Sequence, residues 1–439
     1  MSIVVRQPSI SSVSALSPDQ LDDLVTVLDL VRSGTAQTRP ELGHRSGLGR
    51  TVIAQRVSEL MRAGLVEDGD LGVSSGGRAP RRVRFLANAG TILTAELGAT
   101  SINAGITDLA GDLQGHKQEP ADIAAGPEVI LPRVQQLLDE LRASAHGDVW
   151  GVGIGLPGPV EFATGRPSAP PIMPGWDGYP VRDRLAARYR APVWVDNEVN
   201  TMALGEFRAG TARGERDMLY VKIGTGIGSG LISGGRLHRG SQGCAGDIGH
   251  AAALRHTSVV CRCGNIGCLE ALAGGAALAR DGTTAARDGR SPQLAARLER
   301  DDAITAEDVA RAAQAGDRAA VELLNRAGGL IGDMLATLVS FFNPSLLLLG
   351  GGVAGAGDAF LAAIRESIYR RSLPLATRDL RIARTTLDGR AGLIGAAFMV
   401  LDELFSRDRL GHWLDAGSPA GKPGLVANPP TPPDSRLPR

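Results

Sequence analysis

Long hydrophobic runs are absent from this sequence of 439 residues. A membrane-spanning helix needs about 18 or more consecutive apolar residues, and no stretch of the chain reaches that length. The segment from Met1 to Ser17 is rich in serine but has no continuous apolar stretch, so it does not resemble a signal peptide. We therefore expect a cytoplasmic protein without a membrane partner.

Lysine and cysteine are both scarce. The lysines are Lys117, Lys222 and Lys422, and all other basic side chains apart from histidine are arginines. Of the four cysteines, three lie within the eight residues from Cys261 to Cys268. In a cytoplasmic protein, such spacing indicates metal binding and excludes a disulfide framework.

Negative charge is under-represented near the N-terminus, although the formal net charge of the whole chain is zero. Between Arg32 and Arg84, ten arginines stand against five acidic residues, which gives this segment a charge of about +5. The chain length predicts two or three domains. A basic segment on a neutral chain indicates that only one of these domains binds nucleic acid.

The basic segment has the pattern of a winged helix-turn-helix, which we predict over residues 19–88. Residues 1–18 are predicted to be disordered. Thr38 and Glu41 form a capping-box pattern at the start of the second helix, and Gly64 suits the end of the third. Three helices followed by a hairpin are typical of this domain. The predicted elements are helices over 21–31, 39–46 and 50–63 and strands over 65–67 and 81–86.

The third helix is the predicted recognition helix, because its N-terminal side chains would reach base edges. Arginine pairs well with guanine and glutamine with adenine, whereas other arginines suit phosphates or a narrow minor groove. The alternative is a protein-interaction module with a solvated basic face. The predicted DNA-contacting residues are Arg50, Thr51, Gln55, Arg56, Arg78, Arg81 and Arg82.

From Thr91 the pattern changes to short β-rich runs that alternate with helices, which predicts an α/β domain over residues 89–405. Glycine-rich turns follow three of the predicted strands. Seven prolines lie between Pro419 and Pro438, so residues 406–439 are predicted to be a disordered tail.

A predicted metal site follows from four residues within a short stretch: His250, Cys261, Cys263 and Cys268. Three thiolates and one imidazole complete a tetrahedral Zn²⁺ shell, and a shell closed by four protein ligands indicates a structural ion. The alternative is a set of unrelated thiols beside a surface histidine. Cys244 lies apart from this group and is predicted to be a small core residue.

The segment from Gly246 to His250, with the segment from Cys261 to Glu270 that ends Gly-Cys-Leu-Glu, closely resembles the signature of the ROK family (repressors, open reading frames, kinases). The predicted winged helix resembles that of the family's repressor branch. The resemblance covers about residues 20–405 and implies an actin-like, ribonuclease-H-like fold of two lobes that close over sugar and nucleotide. The sugar contacts that it implies are Gly158, Asn197, Glu198, Asp247, His250 and Glu270.

The resemblance also argues against phosphoryl transfer. Family kinases carry a catalytic Asp at the position of Glu198, and the extra methylene displaces the carboxylate by roughly 1 Å, which can cost about 100-fold in rate. The pair Asn197–Glu198 resembles that of xylose-type repressors, which bind sugar without phosphorylating it. We therefore do not expect ATP or Mg²⁺ as cofactors. If a nucleotide did bind, the glycine-rich loops would supply Gly98, Thr100, Gly224, Thr225, Gly226 and Gly351.

Together, these features predict a dimeric or tetrameric, sugar-responsive transcriptional regulator, a repressor of carbohydrate-metabolism genes that binds double-stranded operator DNA. One alternative is an ATP-dependent sugar kinase with an accessory DNA-binding domain. Another is a regulator that is controlled by contact with a protein and not by a sugar.

Overall fold

A computed structural model describes residues 16–71, 79–145 and 147–426, which divide into two compact units. The N-terminal unit comprises the chain up to Gly90 together with Asp402–Pro419, and the effector unit comprises Thr91–Leu401 with a short segment that starts at Ala420. Arg78 and the predicted wing tip lie outside the described residues. None of the described helices is long and apolar enough to cross a membrane.

The described part of the N-terminal unit that precedes Gly90 has three α-helices and then a pair of strands, in the predicted order. The capping box of Thr38 and Glu41 is confirmed at the start of the second helix, and a further capping box, formed by Ser17 and Gln20, starts the first helix at Pro18. The two strands pair in antiparallel fashion. The elements are α1 (Pro18–Arg32), α2 (Arg39–Ser46), α3 (Arg50–Arg62), β1 (Val66–Leu71) and β2 (Arg81–Phe85).

The first lobe of the effector unit is built on a five-stranded sheet. Its strand order is β5-β4-β3-β6-β9, with antiparallel pairing among the first three strands and parallel pairing from β3 to β6 and β9. A separate antiparallel pair, β7 and β8, follows β6. The elements are β3 (Thr91–Leu97), β4 (Ser101–Thr107), β5 (Leu113–Pro120), α4 (Pro127–Arg142), β6 (Val149–Leu156), β7 (Val160–Glu161), β8 (Arg166–Pro167), α5 (Val181–Tyr189), β9 (Val193–Asn197) and α6 (Glu198–Ala209).

The second lobe repeats this topology in the order β12-β11-β10-β13-β14. Two sheets of the same order are what the predicted two-lobed fold requires. The elements are β10 (Met218–Ile223), β11 (Ile227–Ser233), β12 (Arg236–His238), α7 (Leu269–Ala273), α8 (Gly275–Arg287), α9 (Pro292–Asp301), α10 (Ala306–Gln314), α11 (Arg318–Phe342), β13 (Leu346–Gly350), α12 (Asp358–Arg371), α13 (Pro374–Thr377) and β14 (Arg381–Arg384). Helix α14 (Ala391–Leu404) follows β14 in the chain and packs against the first lobe, where a Cβ atom on Gly153 of β6 would clash with the carbonyl oxygen of Ala396.

Helix α6 joins the two lobes, because it follows β9 of the first sheet directly and leads to β10 of the second. It contacts β6 as well as β11. Close approach to β6 depends on Gly155, where a Cβ atom would lie 2.8 Å from the hydroxyl oxygen of Thr201. The N-terminus of α6 is therefore held at a fixed position between the lobes.

The prediction of a disordered tail is wrong for residues 406–426. A helix, α15 (Arg407–Trp413), lies in the N-terminal unit, which therefore extends beyond residues 19–88. Trp413 is fully buried, donates its indole N–H to the carbonyl oxygen of Leu404 at 3.0 Å, and contacts the ring of Phe405. A helical spacing of apolar residues was present in the sequence at Leu410, Trp413 and Leu414. The prediction of disorder relied on the prolines further along the chain and overlooked that spacing.

Replacing Trp413 with alanine should lower the free energy of unfolding of the N-terminal unit by about 3–5 kcal/mol, because a large buried side chain would leave a cavity. Trp413→Phe should cost less, since it keeps most of the apolar volume and loses the N–H donor. Urea denaturation of the full chain, followed by circular dichroism, measures both effects. Equal stability of the wild type and Trp413→Ala would contradict the buried position.

Candidate functional site

A cavity of about 580 Å³ lies in the effector unit and is lined by residues from both lobes. The N-terminus of α6, the loop between β10 and β11 and the segment before the cysteines all contribute to its wall. The structure brings every predicted sugar-contacting residue to this cavity, although sugar binding by each stays a prediction. These residues are Gly158, Asn197, Glu198, Asp247, His250 and Glu270.

Asn197 is the N-cap of α6, and its side chain fixes the local geometry. Its Oδ1 accepts hydrogen bonds from the backbone N–H groups of Val199 and Asn200. Its Nδ2 donates to the carbonyl oxygen of Gly158 and to Glu198 Oε2, each at 2.9 Å. Asn197 therefore connects two other predicted contact residues and orients the carboxylate of Glu198.

An ion pair that sequence reasoning missed, between the buried Asp196 and the partly exposed Arg239, supports the same turn. Asp196 is fully buried and accepts a hydrogen bond from Arg239 Nε at 2.7 Å and another from Asn200 Nδ2 at 2.9 Å. The guanidinium of Arg239 also lies over the ring of Phe162, 3.8 Å from its centroid. The arginine is far from Asp196 in sequence, so no local pattern could have predicted the pair.

Sequence reasoning also missed Lys222, whose positive charge lies next to acidic residues of the cavity. Its Nζ lies 3.2 Å from Glu198 Oε1. Burial raises the pKa of Glu198, and the charge of Lys222 opposes that effect. Burial lowers the pKa of Lys222, but the charges of Glu198 and Glu96 outweigh it and raise the pKa overall. A lysine in the otherwise apolar strand β10, in a chain with so few lysines, was the available signal.

Glu96, at the end of β3, is the second carboxylate near Lys222. It is buried, and burial raises its pKa to about 7, with a smaller opposing effect from Lys222. Its Oε2 atom has no hydrogen-bond partner among the described residues. Glu96 is therefore protonated in a substantial fraction of molecules near neutral pH.

Glu96→Gln should stabilise the effector unit at high pH and have little effect at low pH. The folded chain retains the Glu96 proton up to about pH 7, whereas the unfolded chain releases it near 4.5. Wild-type stability therefore falls as the pH rises through this window, by about 3 kcal/mol in total. Melting temperatures of both proteins at pH 5 and pH 8.5 measure the difference. A variant that gains no stability at the higher pH would contradict the buried carboxylate.

The remaining acidic residues differ in their surroundings. Glu270 Oε2 accepts a hydrogen bond from the backbone N–H of Ile227 at 3.2 Å, and its Oε1 lies 3.7 Å from the guanidinium of Arg262. Asp247 is exposed on the cavity wall. Cys244 is exposed and lines the cavity too, so the prediction that it is a core residue is wrong. Its glycine-rich surroundings place it in a loop, where no core can form around it.

The residues predicted for a nucleotide are only partly brought together. Gly98, Thr100 and Gly224 to Gly226 line the cavity. Gly351 is not among the lining residues: it has a φ of +88°, and a Cβ there would lie 2.5 Å from the carbonyl oxygen of Ile223. This glycine is required by the close approach to β10, whatever the cavity binds.

The predicted metal ligands form one cluster that could hold a metal ion. The ligand atoms of His250, Cys261, Cys263 and Cys268 all lie within 4.8 Å of one another. His250 Nδ1 is 3.5 Å from Cys261 Sγ, and the Sγ atoms of Cys263 and Cys268 are 3.7 Å apart. A tetrahedral ion with Zn–S bonds of ~2.3 Å would separate two sulfurs by about 3.8 Å, so the donor set fits zinc. With Nδ1 in the cluster, Nε2 of His250 is left for the cavity.

In the N-terminal unit, most of the predicted DNA-contacting residues are exposed: Arg50, Thr51 and Gln55 on α3, and Arg81 and Arg82 on β2. Arg78 lies outside the described residues. Arg56 contradicts its prediction, because it is 3% exposed and forms an ion pair with Glu59, with Asp23 of α1 at 3.9 Å. Three residues after the buried Ile53, Arg56 lies on the core face of α3 and cannot reach a phosphate.

With this geometry in place, comparison with known proteins identifies the family. Residues 92–403 match the ROK family, and the chain belongs to that family. The effector unit accordingly has the mixed α/β, sugar-kinase-like fold that the sequence predicted.

Particular relatives fall into two groups. The chain is 31% identical to a glucokinase of Halalkalibacterium halodurans over 317 residues, which are 72% of this chain and 96% of the relative. It is 29% identical to a xylose repressor of Caldicellulosiruptor bescii over 383 residues, 87% of this chain and 95% of the relative. It also shares the fold of a crystallised ROK family transcriptional regulator, described as a homolog of the E. coli MLC protein. That match has a TM-score of 0.75 and 23% identity, and covers 94% of this chain and 100% of that one.

Proposed function

We propose that this protein is a sugar-responsive transcriptional repressor of carbohydrate-metabolism genes, which acts on operator DNA in the cytoplasm. The observation that carries this proposal is the extent of the match with the xylose repressor. That match spans 383 residues, whereas a nearly complete glucokinase matches only 317. The repressor therefore shares more of this chain than a sugar kinase does.

The N-terminal unit is proposed to be a winged helix-turn-helix, with α3 as the recognition helix. Its order of three helices and an antiparallel strand pair supports this assignment. Arg50, Thr51 and Gln55 are exposed near the start of α3, where they could reach base edges in the major groove. Arg81 and Arg82 are exposed on β2 and suit contacts with phosphate.

The cavity of the effector unit is proposed to hold the sugar. A sugar ring presents hydroxyl groups that both donate and accept hydrogen bonds, and carboxylates are strong acceptors for them. Glu198, Asp247 and Glu270 line the cavity and supply such acceptors. Asn197 uses both of its side-chain groups within the protein, so its proposed role is to position Glu198.

The cysteine cluster is proposed to hold one structural Zn²⁺. Four protein ligands leave no open coordination position, so the ion would supply rigidity and no catalytic water. His250 both belongs to the cluster and lines the cavity, so zinc would fix its ring where a sugar hydroxyl can reach Nε2.

The repressor is proposed to act as a homodimer, or as a tetramer built from two such dimers, on an inverted repeat. Two-fold symmetry in the protein matches two-fold symmetry in an operator. Sugar can change operator affinity only if it binds the DNA-free conformation and the DNA-bound conformation with different affinities. We expect the DNA-free conformation to bind sugar more tightly, which gives induction.

Fluorescence anisotropy with DNA from upstream of the protein's own and neighbouring genes tests the proposal. The titration is run at one fixed salt concentration, with and without each member of a panel of monosaccharides and disaccharides, because affinity for DNA depends steeply on salt. Specific binding that one sugar weakens is the expected result. Specific binding that no sugar alters would favour control by a protein partner. Failure to bind any genomic fragment would contradict the proposal.

The similarity to glucokinases supports a second candidate function, ATP-dependent phosphorylation of a sugar. Glu198 stands at the position of the kinase base, and its carboxylate is already paired with Lys222. Its side chain is one methylene longer than the Asp of the family kinases, which displaces the carboxylate by roughly 1 Å, so we expect no measurable activity. A coupled assay for ADP release with the same sugar panel distinguishes the two functions.

A further inference from the structure

The cavity continues beyond the residues proposed to contact a sugar ring. We call the group of Asn197, Glu198, Asp247, His250 and Glu270 the polar end. The loop between β10 and β11 separates it from a second group, since Ile227 N–H bonds to Glu270 on one side and Ala276 N–H bonds to the carbonyl oxygen of Thr225 on the other. This second group, the apolar end, consists of Ala276, Ala279, Ile304 and Val353, and Thr305 and Glu307 line the cavity beside it.

The size of the cavity exceeds that of one sugar ring. If each carbon–hydroxyl unit of a hexose occupies about the ~30 Å³ of a water molecule, one ring fills roughly 200 Å³. The cavity has about 580 Å³, so a single ring at the polar end leaves room for another group of similar size. Small apolar side chains at the far end leave that space open.

The charges of the cavity do not suit an anionic ligand. Acidic residues among those that line it are Glu96, Glu198, Asp247, Glu270 and Glu307, whereas Lys222 and His250 are the basic ones. Lys222 is already within ion-pair distance of Glu198, and His250 belongs to the metal cluster. A phosphate in this cavity would therefore meet carboxylates without a free counter-charge.

The glycine-rich loop of the cavity has part of its backbone already paired within the protein. A loop of this kind binds anions through unpaired backbone N–H groups. Here the N–H of Ile227 donates to the Glu270 carboxylate at 3.2 Å, and the N–H of Gly224 donates to the carbonyl oxygen of Gly226 at 2.9 Å. The Glu270 carboxylate thus takes a hydrogen bond that the loop could otherwise donate to an anion.

We propose that the effector is an uncharged disaccharide or other glycoside, with one ring at the polar end and its second ring or aglycone at the apolar end. The proposal rests on the sugar-binding function proposed above and specifies the ligand class. Sugar rings have apolar C–H faces, which pack well against alanine, isoleucine and valine side chains. From the charges of the cavity, we expect neither a sugar phosphate nor a nucleotide to bind.

Isothermal titration calorimetry with the full-length, zinc-loaded protein tests this proposal. The probes are xylose, glucose, xylobiose, cellobiose, maltose, glucose 6-phosphate and the ATP analogue AMPPNP. At least one disaccharide is expected to bind about tenfold or more tightly than its component monosaccharide, because it buries more apolar surface. Glucose 6-phosphate and AMPPNP should give no heat of binding.

A variant and a matched control locate the second group. Ala279→Phe should fill the apolar end and reduce the advantage of the disaccharide over its monosaccharide to less than about twofold. Thr284→Phe lies at an exposed position on the same helix that does not line the cavity, so it should keep the wild-type ratio. Melting temperatures of both variants check that the fold is intact.

Three outcomes would overturn the proposal. Monosaccharide binding without any gain from a second ring would refute the two-ring ligand and leave the proposed sugar-responsive function standing. Tight binding of AMPPNP or glucose 6-phosphate would refute the exclusion of anions. Binding of none of the saccharides would overturn the ligand class together with the proposed function. The ratio of disaccharide affinity to monosaccharide affinity in the wild-type protein tests the proposal even if Ala279→Phe fails to fold.

Discussion

Replacing Arg50 with alanine should weaken binding to a specific operator by about 10- to 100-fold. Arg50 is the first residue of α3 and is exposed, so its guanidinium can reach a guanine in the major groove. A good bidentate contact of this kind contributes about 1–3 kcal/mol of discrimination. Gln55→Ala should have a similar effect at an adenine, because Gln55 is also exposed, about one and a half turns further along the same helix.

Comparison with Arg81→Ala separates recognition of bases from attraction to phosphates. Arg81 on β2 should contact phosphate, so its loss should weaken binding to all DNA sequences alike and reduce the salt dependence by about one ion. Arg318→Ala is the matched control, because Arg318 is highly exposed on α11 of the effector unit. Equal loss of specific and nonspecific binding in Arg50→Ala would contradict the assignment of α3 as the recognition helix.

Arg56 illustrates what sequence reasoning could and could not predict in the N-terminal unit. Apolar spacing and capping boxes fixed the three helices to within a few residues, because both signals are local. The exposed or buried state of an arginine depends on what packs against its face of the helix. Arg56 pairs with Glu59 and approaches Asp23 of α1, and only the packing of α1 against α3 reveals that.

In the effector unit too, features formed by residues close together in the sequence could be predicted, whereas contacts between distant residues could not. The cluster of His250, Cys261, Cys263 and Cys268 was predictable, because three of its four residues lie within eight residues of the sequence. The ion pair of Glu198 with Lys222 was not predicted, since its partners lie on α6 and β10 and meet only when the two lobes assemble. Charge neutralisation inside the cavity therefore emerges from the fold and not from any motif.

Removal of the predicted zinc should abolish the response to sugar while leaving DNA binding intact. The four ligands all lie in the effector unit, and His250 and Glu270 reach the cavity from the segments before and after the cysteines. Binding of a structural Zn²⁺ is worth about 10–16 kcal/mol in small zinc domains, so its loss would release these segments. We expect sugar affinity to fall by at least about 100-fold, since the contact residues would no longer be held in place.

Cys268→Ser tests this directly, because serine keeps nearly the volume of the buried Cys268 and is a poor ligand for zinc. The zinc content, measured by mass spectrometry of the purified protein, should fall from about one ion per chain to nearly none. Cys244→Ser is the matched control, since Cys244 lies outside the cluster and should retain the metal. If Cys268→Ser kept full zinc or bound sugar normally, the cluster would not be what holds His250 in the cavity. The elements α3 and β2 contribute none of the proposed zinc ligands, so Cys268→Ser should still bind operator DNA. Loss of operator binding in this variant would show that the zinc affects more than the sugar site.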